Sequence, residues 1–199
     1  MELSKSYIVE NLLIKKNAKV TLTEKLHTYD YLFIDATTFL DKTEAEVIHK
    51  FQSNLDTRYI YFGEHEQGIE RSLHTTLFYG LIPNAYNYKL IKLFIDREIE
   101  TFDLTIKGIS FFRENPLFDV MKFEVESEAM QKVHAYIKDT MDNEDTHDLF
   151  QPHMTLAYIK KGAFSEWEGY DNFSFCNSIR QVKEIVYQDV YDTKRVIYQ

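Results

Sequence analysis

One short phrase is written twice in this chain, and any fold that accommodates it has to bring two like halves together. The segments Leu73-His74-Thr75-Thr76-Leu77-Phe78-Tyr79 and Pro152-His153-Met154-Thr155-Leu156-Ala157-Tyr158 share the pattern His-x-Thr-Leu-x-Tyr. In an extended strand successive side chains alternate between faces. Each His therefore shares a face with its Thr, while the intervening residue and the Leu point the other way. Two such strands lying close together would form a near-symmetric pocket. It would hold two titratable groups able to act as acid and base, and two hydroxyl donors for a developing negative charge. That combination suits the splitting of a phosphodiester without a metal.

The surroundings of the two copies are duplicated in kind. Tyr29 to Asp35 reads as a buried strand, Thr37, Thr38 or Asp41 can cap a helix, and Thr43 to Phe51 carries helical spacing through Val47, Ile48 and Phe51. A strand near Tyr59 to Phe62 and a turn around Gly63 to Gly68 lead into His74. In the second half, Asp119 to Val125 reads as a strand and Ser127 as an N-cap. Met130, Val133, Ile137 and Met141 then line a helix face before the acidic stretch Asp142 to Asp145. Each half is thus strand, helix, loop, His-x-Thr strand.

Between the halves, Tyr86 to Ile95 has a helical apolar side, followed by strands near Phe102 to Ile106 and Ile109 to Phe112. Beyond the second copy, Ile179 to Val190 reads as strand, with a turn at Asp192 to Lys194 into Arg195 to Tyr198. The expected architecture is α+β. Two pseudo-symmetric lobes of antiparallel-rich sheet with flanking helices should surround a central cleft. Residues 27–199 form this domain and residues 1–26 an N-terminal extension of unreadable role.

Composition narrows the partners. The formal net charge is −9 at pH 7, whereas a protein that follows a long nucleic-acid backbone wants a basic stripe to displace counterions. Small nucleotides or the end of an RNA are easier to reconcile with this balance than a polymer track. No apolar run spans a bilayer and the opening stretch lacks signal-peptide architecture, so no membrane partner and a cytoplasmic location are expected. The single Cys176 allows neither an intrachain disulfide nor a cysteine-rich metal cage, which suits a reducing compartment.

Metal binding is the rival use for paired histidines. A zinc site would want three or four His, Cys or carboxylate ligands, and a two-metal site would want carboxylates beside the histidines. Here each His is paired with a Thr, a poor zinc ligand but a good donor to a phosphoryl oxygen. His27, His49, His65, His134 and His147 lack that Thr and read as surface or structural, although His65, in a polar loop, could approach the cleft. No metal and no cofactor are expected.

The two motifs, and the run from Phe150 to Gly162 in particular, resemble the 2H phosphoesterase superfamily, also called LigT-like or 2′-5′ RNA ligase-like. The resemblance covers roughly Tyr29 to Tyr191. It implies a bilobal fold, metal-independent phosphodiesterase activity, His74 and His153 as acid and base, and Thr76 and Thr155 as phosphate ligands. For substrate selection, Lys160 and Lys161 could attract phosphate and Arg113 could do the same. The rings of Phe164, Trp167 and Tyr170 could stack a base, and Tyr61 and Phe62 could belong to the cleft or the core. Similarity to viral members points to cyclic or 2′-5′ oligonucleotide immune signals as substrates, in viral or phage counter-defence. The alternatives are processing of RNA ends at 2′,3′-cyclic phosphates, and a binder that sequesters nucleotides without turnover.

Overall fold

The structure is a computed structural model describing residues 27–63, 68–145 and 149–199; the N-terminal extension, His65 and His147 lie outside the described residues. Eight strands form one sheet: β1 (Asp30–Asp35), β2 (His74–Leu81), β3 (Asp103–Phe112), β4 (Phe118–Glu126), β5 (His153–Lys160), β6 (Ile179–Gln181), β7 (Ile185–Gln188) and β8 (Lys194–Tyr198). Among the described residues three α-helices accompany it: α1 (Lys42–Ser53), α2 (Asn87–Glu98) and α3 (Glu128–Thr140). The strand order is β6-β3-β4-β5-β2-β1-β7-β8, and the strand pairs of the sheet are antiparallel.

The order reads symmetrically outward from the centre. β2 and β5, the two His-x-Thr strands, are neighbours, with β1-β7-β8 completing the first lobe and β4-β3-β6 the second. The lobes meet at one antiparallel pair, Thr75 opposite Met154. Past that point the central strands splay, and each free edge is taken by the loop that runs from the other half's helix to that half's His-x-Thr strand. Asp142 and Glu144 bond the edge of β2 through Ile82 and Gly80, while Tyr61, Gly68 and Glu70 bond the edge of β5 through Tyr158 and Leu156. Gly80 permits the first of these approaches. Its φ is +91°, and a Cβ there would meet the Glu144 carbonyl carbon at 3.2 Å.

α1 and α3 start at side-chain caps. Asp41 and Glu44 form a reciprocal capping box at α1, and the Ser127 hydroxyl accepts from the Met130 N–H at α3. α1 and α3 sit behind the opposite lobe's histidine strand, while α2 packs on β8 and α3. α1 sends the buried Gln52 amide to the Leu156 carbonyl of β5 at 2.9 Å, and α3 lies against β2, its His134 ring 5.0 Å from Phe78. Met130, Val133 and Ile137 are buried, as the helical spacing predicts, while Met141 falls just past the helix end. On α1, Ile48 is buried but Val47 faces outward.

Three details differ from the sequence reading. Residues 59–62 are not a strand: a 3₁₀ turn ends at Tyr59 and a single bridge joins Ile60 to Ile159. The two strands expected from Phe102 to Phe112 are one, β3, with its register shifted between Ile106 and Ile109, where Gly108 passes against the Gly169–Tyr170 backbone. The strand expected from Ile179 to Val190 breaks after Gln181, because β6 and β7 lie toward opposite ends of the sheet, β6 beside β3 and β7 between β1 and β8. Among the described residues no helix is long and apolar enough to cross a membrane.

Candidate active site

The pseudo-symmetry axis runs between Thr75 and Met154, both fully buried. Their burial turns His74 and Thr76 of β2, and His153 and Thr155 of β5, to the opposite, half-exposed face. Continuing the Thr75–Met154 register sets His74 level with Thr155 and Thr76 level with His153, so each imidazole faces the other motif's hydroxyl. The two histidines are then diagonal neighbours on one face of the seam, on either side of the pair at which the lobes meet.

Both rings are fixed in the same way. The Nδ1 of His74 bonds the Ser72 carbonyl at 2.7 Å, and the Nδ1 of His153 bonds the Gln151 carbonyl at 2.8 Å. A carbonyl only accepts, so Nδ1 carries a proton in both rings and Nε2 is left as the nitrogen that gains or loses one. Each ring also meets a phenyl edge-to-face: Phe33 for His74, with centroids 5.9 Å apart, and Phe112 for His153, at 4.8 Å. Across the seam, the buried Thr75 hydroxyl donates to the His153 carbonyl at 2.6 Å. A residue of one motif thereby holds the backbone of the other.

The Tyr that ends each motif reaches the same face, which strict alternation forbids. A register shift lies within each motif, where Leu77-Phe78 and Leu156-Ala157 are consecutive buried pairs. The extra residue turns Tyr79 and Tyr158 back to the histidine side. On the first lobe Tyr79 joins Tyr29, Tyr31 and Phe33 in a continuous aromatic wall. On the second, Tyr158 meets Phe118, and Phe118 meets Tyr61 at 5.1 Å. Tyr61 thus belongs to the cleft wall.

The other expected substrate residues are placed differently. Lys160 ends β5 on the Tyr158 side and is exposed. Trp167 does not reach the cleft. Its ring packs edge-on against Phe51 at 5.0 Å and Tyr170 at 4.9 Å, and Phe51 packs on Phe173, which meets Phe123 on the core face of β4. Arg113 lies over Phe111, also on the core side, and is paired with Asp119 at 3.0 Å and Glu168 at 2.7 Å. Lys161 is consumed as well, by Asp119 and by the Arg113 and Asn115 carbonyls. Of the remaining histidines, His134 is buried, stacks on Phe150 and is paired with Asp145, His49 bonds Gln52, and His27 leans on Tyr31.

Lys122 is a cleft residue that the sequence reading missed. It lies on β4 directly opposite Thr155, with Glu124 opposite His153, and is only 3% exposed. Burial pulls its pKa below the ordinary lysine value, against the opposing influence of Glu124, Glu114 and Glu168. Among the described residues no three His, Cys, Asp or Glu side chains are grouped to hold a metal ion.

Comparison with known proteins agrees with this architecture. The sequence model of the 2′-5′ RNA ligase superfamily matches residues 39–166, well over half the chain and inclusive of both motifs. The fold is similar to that of the crystal structure of TT0787 from Thermus thermophilus (TM-score 0.54, 16% identity, 84% of this chain and 93% of that one). It is also similar to a crystal structure of a phosphoesterase (TM-score 0.51, 14% identity, 85% and 93%). No curated protein sequence matches the chain.

Proposed function

The chain belongs to the 2′-5′ RNA ligase superfamily, and from that premise we propose that it is a metal-independent 2H phosphodiesterase acting on small nucleotides, above all on cyclic or 2′-5′ oligonucleotide signals. The observation that carries the reading is the meeting of the two His-x-Thr strands at Thr75 and Met154, with both imidazoles anchored through Nδ1. One histidine removes a proton, through Nε2, from water or a ribose 2′-OH as that oxygen attacks phosphorus. The other protonates the departing ribose oxygen. The Thr76 and Thr155 hydroxyls donate to the non-bridging oxygens, where charge accumulates. Attack by a 2′-OH would leave a 2′,3′-cyclic phosphate, and attack by water a linear end.

The two aromatic walls support a substrate with a base on each side of the scissile phosphate. Base stacking on such rings contributes about 1–3 kcal/mol per base. A lone 2′,3′-cyclic terminus would use one wall only, and the net charge of −9 disfavours a long backbone. The test is incubation with cyclic dinucleotides, cyclic trinucleotides, 2′-5′ oligoadenylate, 2′,3′-cyclic nucleotides and a long RNA ending in a 2′,3′-cyclic phosphate, with products separated by chromatography. Turnover should be fastest on a small cyclic or 2′-5′ oligonucleotide. Preference for the RNA terminus, without cleavage of any small oligonucleotide, would favour end repair; ligand recovered unchanged throughout would favour sequestration.

A further inference from the structure

The two lobes match at the histidines and threonines but differ beside them. The residue opposite Thr76 is Phe33, and the residue opposite Thr155 is Lys122. Beside the threonine the cleft face therefore carries an aromatic ring in one lobe, with the exposed Lys194 ammonium 5.5 Å from its centroid, and the buried ammonium of Lys122 in the other.

The setting of that ammonium is incomplete. It donates to the Ser110 hydroxyl at 2.7 Å and lies 4.2 Å from the centroid of Phe112, the ring that meets His153. Glu124, at 4.0 Å and largely exposed, is beyond hydrogen-bond reach. An ammonium has three donors, so among the described residues Lys122 has two more than its hydrogen bonds use. Taking a charge out of water costs several kcal/mol unless it is paired, and an apolar side chain of the same volume is often no less stable there. Arg113 and Lys161, two other cations at this end of the sheet, are neutralised by Asp119 and Glu168. Lys122 is held back from those partners beneath Phe112, with the Thr155 hydroxyl across the strand pair.

We infer that Lys122 is an anion-binding residue of the cleft, and that its ammonium, together with the Thr155 hydroxyl, grips the non-bridging oxygens of the substrate's phosphate. This rests on the phosphodiester reading of the cleft and adds that the second lobe holds the buried charged group; on the first lobe the residue opposite the threonine is a ring, Phe33, and the cation over that ring, Lys194, is exposed. The flexible four-carbon stem lets the ammonium turn from the Phe112 ring toward the oxygens without moving the strand. One buried cation at the reacting centre also accounts for how an acidic protein could handle a phosphodiester: the attraction is local and desolvated, where it is strong, instead of spread over the surface.

The experiment is an NMR titration of the full chain, labelled at lysine Cε and histidine rings, with inorganic phosphate as the probe. The Lys122 signal is identified by its loss in Lys122→Met. The inference predicts saturable shifts of Lys122 together with the rings of His74 and His153, and at least tenfold weaker phosphate binding to Lys122→Met as read from the histidine signals. On the best small phosphodiester, Lys122→Met should lower kcat/KM by about tenfold to a thousandfold, with Lys122→Arg recovering most of it. Histidine shifts without a Lys122 shift, or Lys122→Met binding phosphate like the parent, would overturn the inference and leave the phosphodiester reading standing. No response from either residue type would overturn both. If Lys122→Met does not fold, loss of the signal in Lys122→Arg identifies it, and the titration of the unmutated chain decides the matter.

Discussion

Thr75→Val perturbs the seam between the lobes and nothing else of comparable size. The replaced hydroxyl is fully buried and donates to the His153 carbonyl at 2.6 Å, and Val keeps the shape and strand preference of Thr. Losing a typical hydrogen bond costs about 1 kcal/mol, and leaving a buried acceptor without its donor costs about 1–3 kcal/mol. A loss near 2 kcal/mol corresponds to a fall in Tm of about 4–8 °C for a chain of this length. The same bond fixes the backbone of His153, so the imidazole should drift from its place beside Thr76. A shift of about 1 Å in a reacting group can cost on the order of a hundredfold, which sets the expected fall in kcat at about tenfold to a hundredfold. Thr75→Ser keeps the donor and should recover most of the rate. The assays are a thermal melt and steady-state kinetics on the best substrate found. A Thr75→Val protein with unchanged Tm and unchanged kcat would refute the idea that this bond couples the two motifs.

Trp167→Ala should lower stability, at or below the roughly 3–5 kcal/mol of a fully buried aromatic, and leave KM near its original value, because the ring packs on Phe51 and Tyr170; a selective rise in KM with an unchanged melt would contradict this placement. Tyr79→Ala and Tyr158→Ala should each raise KM for a substrate carrying two bases by about fivefold to a hundredfold, with little effect on the melt for the exposed Tyr79; unaltered KM in both would remove the stacking walls. Burial pushes the Cys176 thiol up to about 11 from 9.0, so native alkylation should be slow at pH 8 and rise about tenfold per pH unit until that value is approached. Its linkage has the matching sign: the unfolded thiol ionises first, and stability falls as pH rises between about 9 and 11. Rapid native alkylation at pH 8 would contradict the burial.

The frame of the fold was legible because its signals are local. The duplicated phrase, the Ser127 cap and the apolar spacing of Met130, Val133 and Ile137 concern neighbours in sequence, and the structure realises each of them. The errors arise where distant residues decide. Trp167, in a loop with Gly162 and Gly169, looks like an open platform until Phe51 and Tyr170 pack on it. Arg113 reads as a free cation until Asp119 and Glu168 close on it. Lys122 follows the alternation of β4 as any outward lysine would, and its burial comes from Phe112 and Ser110 on the neighbouring strand. Tyr79 and Tyr158 were visible as repeats, but their side of the sheet depends on register shifts that a strict period of two does not foresee. Residues 59–62 pair with β5 at an isolated bridge because that edge is open only where the central strands part.

The most direct test of the account is turnover of the best small oligonucleotide in excess EDTA by the parent chain, His74→Ala, His153→Ala and the double variant, with folding checked by melt. The account predicts that chelation changes the parent rate by no more than about twofold. Each single variant should lose about two to four orders of magnitude, the scale of general acid–base groups, and the double should lose far less than the product of the two, because the pair acts as a unit. Thr76→Ala and Thr155→Ala should fall between these and the parent, at about tenfold to a thousandfold. Activity lost to EDTA and restored by zinc or manganese, or a folded single histidine variant that turns over like the parent, would contradict the paired-histidine chemistry.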